Sequence, residues 1–129
     1  MNFHHTGFIV KSILEYERNL IFEEKILEVI DPIQNAKLSL YSNFSNCFIE
    51  LIEPLGESSL TWNSLQKFGN HFHHLCYSVE NLEELQIIVE NKMLIKILDP
   101  VPAILFNKKF VTFYMGRNKQ IIEFLILNK

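Results

Sequence analysis

An internal repeat is the feature that most constrains what this chain can fold into. The segment HTGFIVKSILE begins at His5, and the segment HLCYSVENLEE begins at His74. Each begins with His, has an aromatic residue at its fourth position and Val at its sixth, and has Glu at its eleventh. Such a repeat in a chain of 129 residues predicts that one supersecondary unit is built twice.

The residues around the two segments predict the same order of elements in both halves, which is strand, helix, strand, strand, strand. The first half is predicted to contain strands over 1–10, 25–30, 36–42 and 47–53 and a helix over 12–20. The second is predicted to contain strands over 71–79, 94–98, 108–115 and 120–127, a helix over 81–91 and a loop over 99–107. We therefore expect one α+β domain of two tandem βαβββ modules over 1–129. Module one covers about 1–56, a connector covers 57–69 and module two covers about 70–129.

The composition excludes several classes of protein. The formal charge of −3 gives no basic footprint for nucleic acid. No apolar run approaches the roughly 20 residues that span a bilayer, and the start of the chain has no secretory signal pattern. Cys47 and Cys76 are too few for a disulfide framework. We expect a cytoplasmic protein whose partners include neither nucleic acid nor a membrane.

Two histidines and two glutamates stand at matching places in the repeat. His5 and His74 begin the repeated segments, and Glu50 and Glu123 each interrupt an apolar run, CFIELI and IIEFLI, in the closing strands. A carboxylate among apolar neighbours is costly to bury unless it is paired. Any one of these residues, taken alone, is more often structural, but a matched set of two imidazoles and two carboxylates suits Zn²⁺, Ni²⁺, Co²⁺ or Fe²⁺. The sequence therefore predicts a metal site.

Strand alternation also predicts which side chains the helices cover. Phe8, Val10, Tyr77 and Val79 lie on the faces opposite the two histidines, and we expect them to be buried against Leu14, Leu85 and Ile88. The neighbouring His4 is expected to be structural.

Several segments resemble compact bacterial members of the vicinal oxygen chelate superfamily. These segments are FHHTGFIVKSI, IELIEPLGESS, HHLCYSVENLEEL and DPVPAILFNKKFVTFY. The superfamily includes glyoxalase I, methylmalonyl-CoA epimerase, extradiol dioxygenases and bleomycin or fosfomycin resistance proteins. The resemblance extends over nearly the whole chain and implies the glyoxalase/bleomycin-resistance-type fold. It also implies that the metal ligands are His5, Glu50, His74 and Glu123.

The resemblance implies a metal-dependent lyase or isomerase of the glyoxalase I type, similar to lactoylglutathione lyase. Glu123 would be the catalytic base, and Glu50 is the second candidate for that role. The cofactor would be a divalent Ni, Co or Zn ion, and the substrate a thiol hemithioacetal. The alternatives are an epimerase acting on an acyl-CoA and a non-catalytic module for small-molecule binding or resistance. Two departures bear on the choice. Ile9 stands where glyoxalase I has an Arg for the glutathione carboxylate, and residues 36–42 lack the additional Glu of well-studied epimerases.

We predict that the chain forms a homodimer, because a chain this small with 48% apolar residues leaves apolar surface to cover. Members of the resembling superfamily often pair two chains. Sedimentation equilibrium at micromolar concentration should give twice the chain mass of 15.2 kDa. A single species of 15.2 kDa would contradict this prediction.

Overall fold

The computed structural model describes residues 1–128, and their elements follow the order that the repeat predicts. The strands are β1 Asn2–Ile9, β2 Glu24–Asp31, β3 Ala36–Ser42, β4 Phe48–Pro54, β5 His71–Val79, β6 Ile95–Pro102, β7 Phe110–Met115 and β8 Ile121–Ile126. The helices are α1 Ile13–Glu17, α2 Trp62–Phe68 and α3 Leu82–Lys92, and a 3₁₀ turn covers Ile104–Phe106. The predicted α+β fold of two βαβββ modules is confirmed. None of the helices in residues 1–128 has the length and apolar character needed to cross a membrane.

The chain forms two compact units whose boundaries fall inside strands. Unit 1 contains residues 1–5 and the residues from His74 onward, whereas unit 2 contains Thr6–His73. Both β1 and β5 therefore contribute residues to each unit. The predicted boundaries of the two modules, about 1–56 and about 70–129, stay a prediction.

Unit 1 has the strand order β1-β5-β8-β7-β6. β5 and β8 run parallel, with Cys76 opposite Glu123, and β8, β7 and β6 pair antiparallel. α3 packs on one face of these strands over a core of Val79, Leu85, Tyr114, Phe124 and Ile126. A second apolar cluster of unit 1 contains Cys76, Ala103, Val111 and Leu125.

Unit 2 has the strand order β2-β3-β4-β1, and β2, β3 and β4 pair antiparallel. Its core contains Val10, Ile13, Tyr41 and Leu51. The side chain of Glu53 on β4 accepts a hydrogen bond of 2.7 Å from the backbone N–H of Ile13. This bond ties the first residue of α1 to the strand beneath it.

The two repeated helices begin with the same cap. The Ser12 hydroxyl accepts a hydrogen bond from the backbone N–H of Glu15, and the side-chain oxygen Oδ1 of Asn81 accepts one from the backbone N–H of Glu84. Each cap satisfies one of the N–H groups that the first turn of a helix leaves without a partner. Both helix starts agree with the sequence prediction within one residue.

The predicted burial under the helices is correct at most positions and wrong at one. Val10, Val79 and Leu85 are buried, while Phe8 and Tyr77 are half-buried and pack against the same two cores. Leu14 is 64% exposed, and Ile13 is buried in its place. The reason is that α1 has a single turn and Glu53 holds Ile13 against the strands, so that the next residue faces outward.

The predicted loop over 99–107 is also corrected. β6 continues through Pro102, and a 3₁₀ turn follows. The pairing with β7 shifts register between Lys96 and Leu98 and again between Leu98 and Val101. Proline is tolerated at such bulges and in edge strands, and β6 is the last strand in the order of unit 1. The prolines therefore bend this strand without ending it.

The core of unit 1 allows a matched test of packing. Phe124→Ala should lower the free energy of unfolding by about 3–5 kcal/mol, because the ring is buried among Tyr77, Tyr114 and its other neighbours. Phe44→Ala is the control, since that ring is 72% exposed and its loss should change the free energy by less than about 0.5 kcal/mol. Urea unfolding of both variants measures the two values. Equal losses would contradict the assignment of this core.

Candidate metal centre

Strand alternation buries the two predicted histidines in unit 1. His5 lies near the middle of β1 and is 0% exposed, and His74 lies in β5 and is 1% exposed. In β5 the half-buried Tyr77 packs toward α3, so His74, three residues earlier, lies on the opposite face. The strands thus carry apolar side chains toward the helix and imidazoles away from it, as the sequence predicts.

Glu123 on β8 reaches both imidazoles. Its Oε1 atom lies 3.1 Å from Nε2 of His5 and 3.3 Å from Nε2 of His74, and the two Nε2 atoms are 3.1 Å apart. Glu123 is only 4% exposed, so this triangle of one oxygen and two nitrogens is closed to bulk water. Three of the four predicted ligands therefore converge within unit 1.

The charge of Glu123 follows from two opposing effects. Burial raises the pKa of its carboxyl group, because the charged form loses its hydration. The contacts with His5 and His74 outweigh burial and lower the pKa below its ordinary value. At neutral pH the group is therefore an ionised carboxylate. Its Oε1 atom nevertheless has no assigned hydrogen bond, although both imidazole nitrogens lie within 3.3 Å of it.

These residues fit a divalent cation. Two ligand atoms that lie about 2.0–2.2 Å from one ion, at angles between square and tetrahedral, are roughly 2.8–3.6 Å apart. The three edges of the triangle are 3.1, 3.1 and 3.3 Å. Imidazole nitrogen with carboxylate oxygen is a donor set typical of Zn²⁺, Ni²⁺, Co²⁺ and Fe²⁺. A cation would also satisfy the buried Oε1 atom that lacks a hydrogen bond.

Aromatic rings hold the imidazoles in place. Phe106 stacks on His5 with ring centroids 5.2 Å apart and planes 27° apart, and Phe113 meets His74 edge-on at 5.4 Å. The sequence interpretation missed Phe106, because it assigned that segment to a loop with no defined neighbours. It also missed His4, whose Nδ1 atom lies 2.8 Å from Nδ1 of His5. The doubled His4-His5 pair in the sequence was the available signal.

Glu50, the fourth predicted ligand, lies on β4 in unit 2 and is buried. Its register partner on β3 is Leu40, and Leu38 and Ser42 share that face of β3. The face of β3 beside Glu50 therefore carries no acidic side chain, as the sequence indicates. The role of Glu50 as a ligand, and the catalytic roles of Glu123 and Glu50, stay predictions.

Comparison with known proteins identifies the family. Residues 4–90 match the family described as the Glyoxalase/Bleomycin resistance protein/Dioxygenase superfamily. The chain belongs to this family. The resemblance that the sequence motifs indicated is thereby confirmed.

One similar protein is the mitochondrial methylmalonyl-CoA epimerase of Dictyostelium discoideum. The two chains are 27% identical over 96 residues, which is 72% of this chain and 56% of that relative. This chain thus spans little more than half the length of the curated relative that it matches.

Solved structures share the fold over nearly the whole chain. A hypothetical protein from Bacillus halodurans C-125 superposes on this chain with a TM-score of 0.82 and is 26% identical to it. The match covers 98% of this chain and 94% of the Bacillus chain. Methylmalonyl-CoA epimerase from Mycobacterium tuberculosis has a TM-score of 0.81 and 20% identity, with coverage of 99% and 89%. The predicted glyoxalase/bleomycin-resistance-type fold is confirmed by these likenesses.

Proposed function

We propose that this protein is a metal-dependent enzyme that removes and returns a proton at the carbon next to a carbonyl group, with a 2-methyl acyl-CoA thioester as its substrate class. The observation that carries the proposal is the buried convergence of His5, His74 and Glu123, whose ligand atoms lie 3.1–3.3 Å apart. Similar proteins that are named methylmalonyl-CoA epimerases favour the epimerase over the glyoxalase I type of lyase.

His5, His74 and Glu123, with Glu50 as the fourth ligand, are the residues that would hold a divalent Ni, Co or Zn ion. When bound, such an ion supplies Lewis-acid polarisation of the substrate's carbonyl oxygen. Glu50 is included because it stands in the closing strand of its module, as Glu123 does in the other. Both carboxylates are buried.

The proton-transferring group is proposed to be Glu123. At neutral pH this carboxyl group is ionised, which is the form that can accept a proton. The C–H bond of the substrate breaks, its electron pair moves toward the carbonyl oxygen to form an enolate, and the proton bonds to a Glu123 oxygen. Return of a proton to the opposite face of the same carbon gives the epimer.

The second proton-transferring group is proposed to be Glu50. The additional Glu of well-studied epimerases is absent from β3, where Leu38 and Leu40 occupy the face beside Glu50. Neither of these side chains can carry a proton. An epimerase built on this chain therefore depends on the carboxylates of the two closing strands.

A glyoxalase I type of lyase is the second candidate, because a thiol hemithioacetal loses its proton by the same step. The pair of glutamates at Glu50 and Glu123 favours it, as β3 offers no further acid. Ile9 is buried where glyoxalase I has its Arg, so glutathione is not expected to be the thiol.

A binding module without catalysis is the third alternative. We propose the homodimer and the cytoplasmic location together with either enzyme.

Metal content and proton exchange together test the proposal. Protein loaded with Ni²⁺, Co²⁺ or Zn²⁺ should retain about one ion per chain after desalting, measured by inductively coupled plasma mass spectrometry. In D₂O the loaded protein should exchange the C2 proton of methylmalonyl-CoA for deuterium, as followed by NMR. The hemithioacetal of methylglyoxal is assayed beside it. Exchange with the hemithioacetal alone would favour the lyase, and metal without either reaction would favour the binding module.

Variants separate the ligand role from the base role. Glu123→Gln should lower exchange at least about 100-fold while retaining part of the metal, because an amide oxygen can coordinate but cannot accept a proton. His74→Ala should lose both metal and exchange. Glu83→Gln is the matched control, since that residue is exposed on α3 and should behave as wild type. If the wild-type protein retains no stoichiometric metal after loading, the enzyme proposal is wrong.

A further inference from the structure

His4 and His5 are neighbours in β1, and their rings approach each other through the same type of nitrogen. The two Nδ1 atoms are 2.8 Å apart. Two nitrogens at this distance share one hydrogen, so one ring donates an N–H and the other accepts it. The contact therefore links the proton position on His4 to that on His5.

A second cation site is the competing explanation for this contact. His4, His5 and Cys76 offer ligand atoms that all lie within 4.8 Å of one another. However, two ligands of one tetrahedral ion are roughly 3.3–3.6 Å apart, and the Nδ1 atoms are closer than that. A distance of 2.8 Å is typical of a hydrogen bond, so the hydrogen bond is the better explanation.

The direction of the bond follows from the other nitrogen of His5. Its Nε2 atom faces Glu123 Oε1 and His74 Nε2 in the candidate metal centre. A neutral imidazole carries one proton, and a metal-binding Nε2 must carry none. The proton of His5 is then on Nδ1, where it is donated to Nδ1 of His4.

We propose that His4 is a positioning residue that holds His5 in the tautomer with its proton on Nδ1. The Nε2 lone pair of His5 is thereby directed into the metal centre. This inference rests on the proposed metal-dependent function and adds to it a residue outside the ligand set. Hydrogen-bond partners of metal-bound histidines commonly set the tautomer and ring orientation in this way.

Phe106 supports the pair by packing on both rings. It meets His4 edge-on, with centroids 5.2 Å apart and planes 89° apart, and it stacks on His5 at 5.2 Å. One aromatic side chain thus restrains both imidazoles. Restrained rings lose less freedom when a ligand binds, which lowers the ordering cost of binding.

Metal affinity tests the positioning role. In a competition titration with a chromophoric chelator, His4→Phe should bind Ni²⁺ or Zn²⁺ about 10- to 100-fold more weakly than wild type, because the ring remains but the acceptor is lost. His4→Asn should recover part of the affinity, since its carbonyl oxygen can accept the bond. His71→Phe is the matched control, because His71 also contacts an aromatic ring, Phe68, and a backbone carbonyl, yet lies outside the centre. The control should stay within about twofold of wild type.

Nitrogen-15 NMR of the Zn²⁺-loaded proteins gives a second readout. His5 of wild type should carry a hydrogen-bonded proton on Nδ1, and the signal of that proton should move upfield in His4→Phe because the acceptor is lost. A wild-type His5 protonated on Nε2, or a His4→Phe affinity within twofold of wild type, would overturn the inference. If wild type binds no metal, the proposed function and this inference fail together. If wild type binds metal and neither readout changes in His4→Phe, this inference alone fails.

Discussion

The rest of the site depends on the burial of one carboxylate between two imidazoles. Moving an ionised carboxyl group out of water costs several kcal/mol, and its neighbours must offset that cost. At Glu123 the neighbours are His5 and His74, at 3.1 and 3.3 Å. Their contacts lower the pKa of Glu123 although burial alone would raise it. Because Oε1 of Glu123 still lacks an assigned hydrogen bond, a bound cation would supply the partner that this buried oxygen needs.

Strand alternation makes such a centre compatible with a stable core. In β8, Phe124 packs into the core beneath α3 while the adjacent Glu123 faces the other way. β5 divides its side chains in the same manner between Val79 and His74. Each strand therefore contributes to stability on one face and to the candidate metal centre on the other. This division explains why a short chain can carry a buried polar cluster without losing its apolar core.

The fold alone does not select the reaction, because one fold supports several chemistries and the site residues decide among them. In the proposed mechanism the deciding residues are the carboxylates on the closing strands and the apolar face of β3. Leu38 and Leu40 offer no acid–base group there, so the proposal assigns proton transfer to Glu123 and Glu50. The proposed role of His4 is to set which nitrogen of His5 would face an ion. A few side chains thus distinguish this chain within a family of common architecture.

The sequence by itself determined the repeat, the order of elements, both helix caps at Ser12 and Asn81, and the faces of His5 and His74, because these are local properties with fixed periods. Only the tertiary structure decided which side chains touch. It brought Glu123 to His5 across β5 and β8, placed Phe106 on the His5 ring, and chose Ile13 over Leu14 for the core. Periodicity assigns a residue to a face, but distances between segments remote in the chain depend on strand pairing and helix rotation.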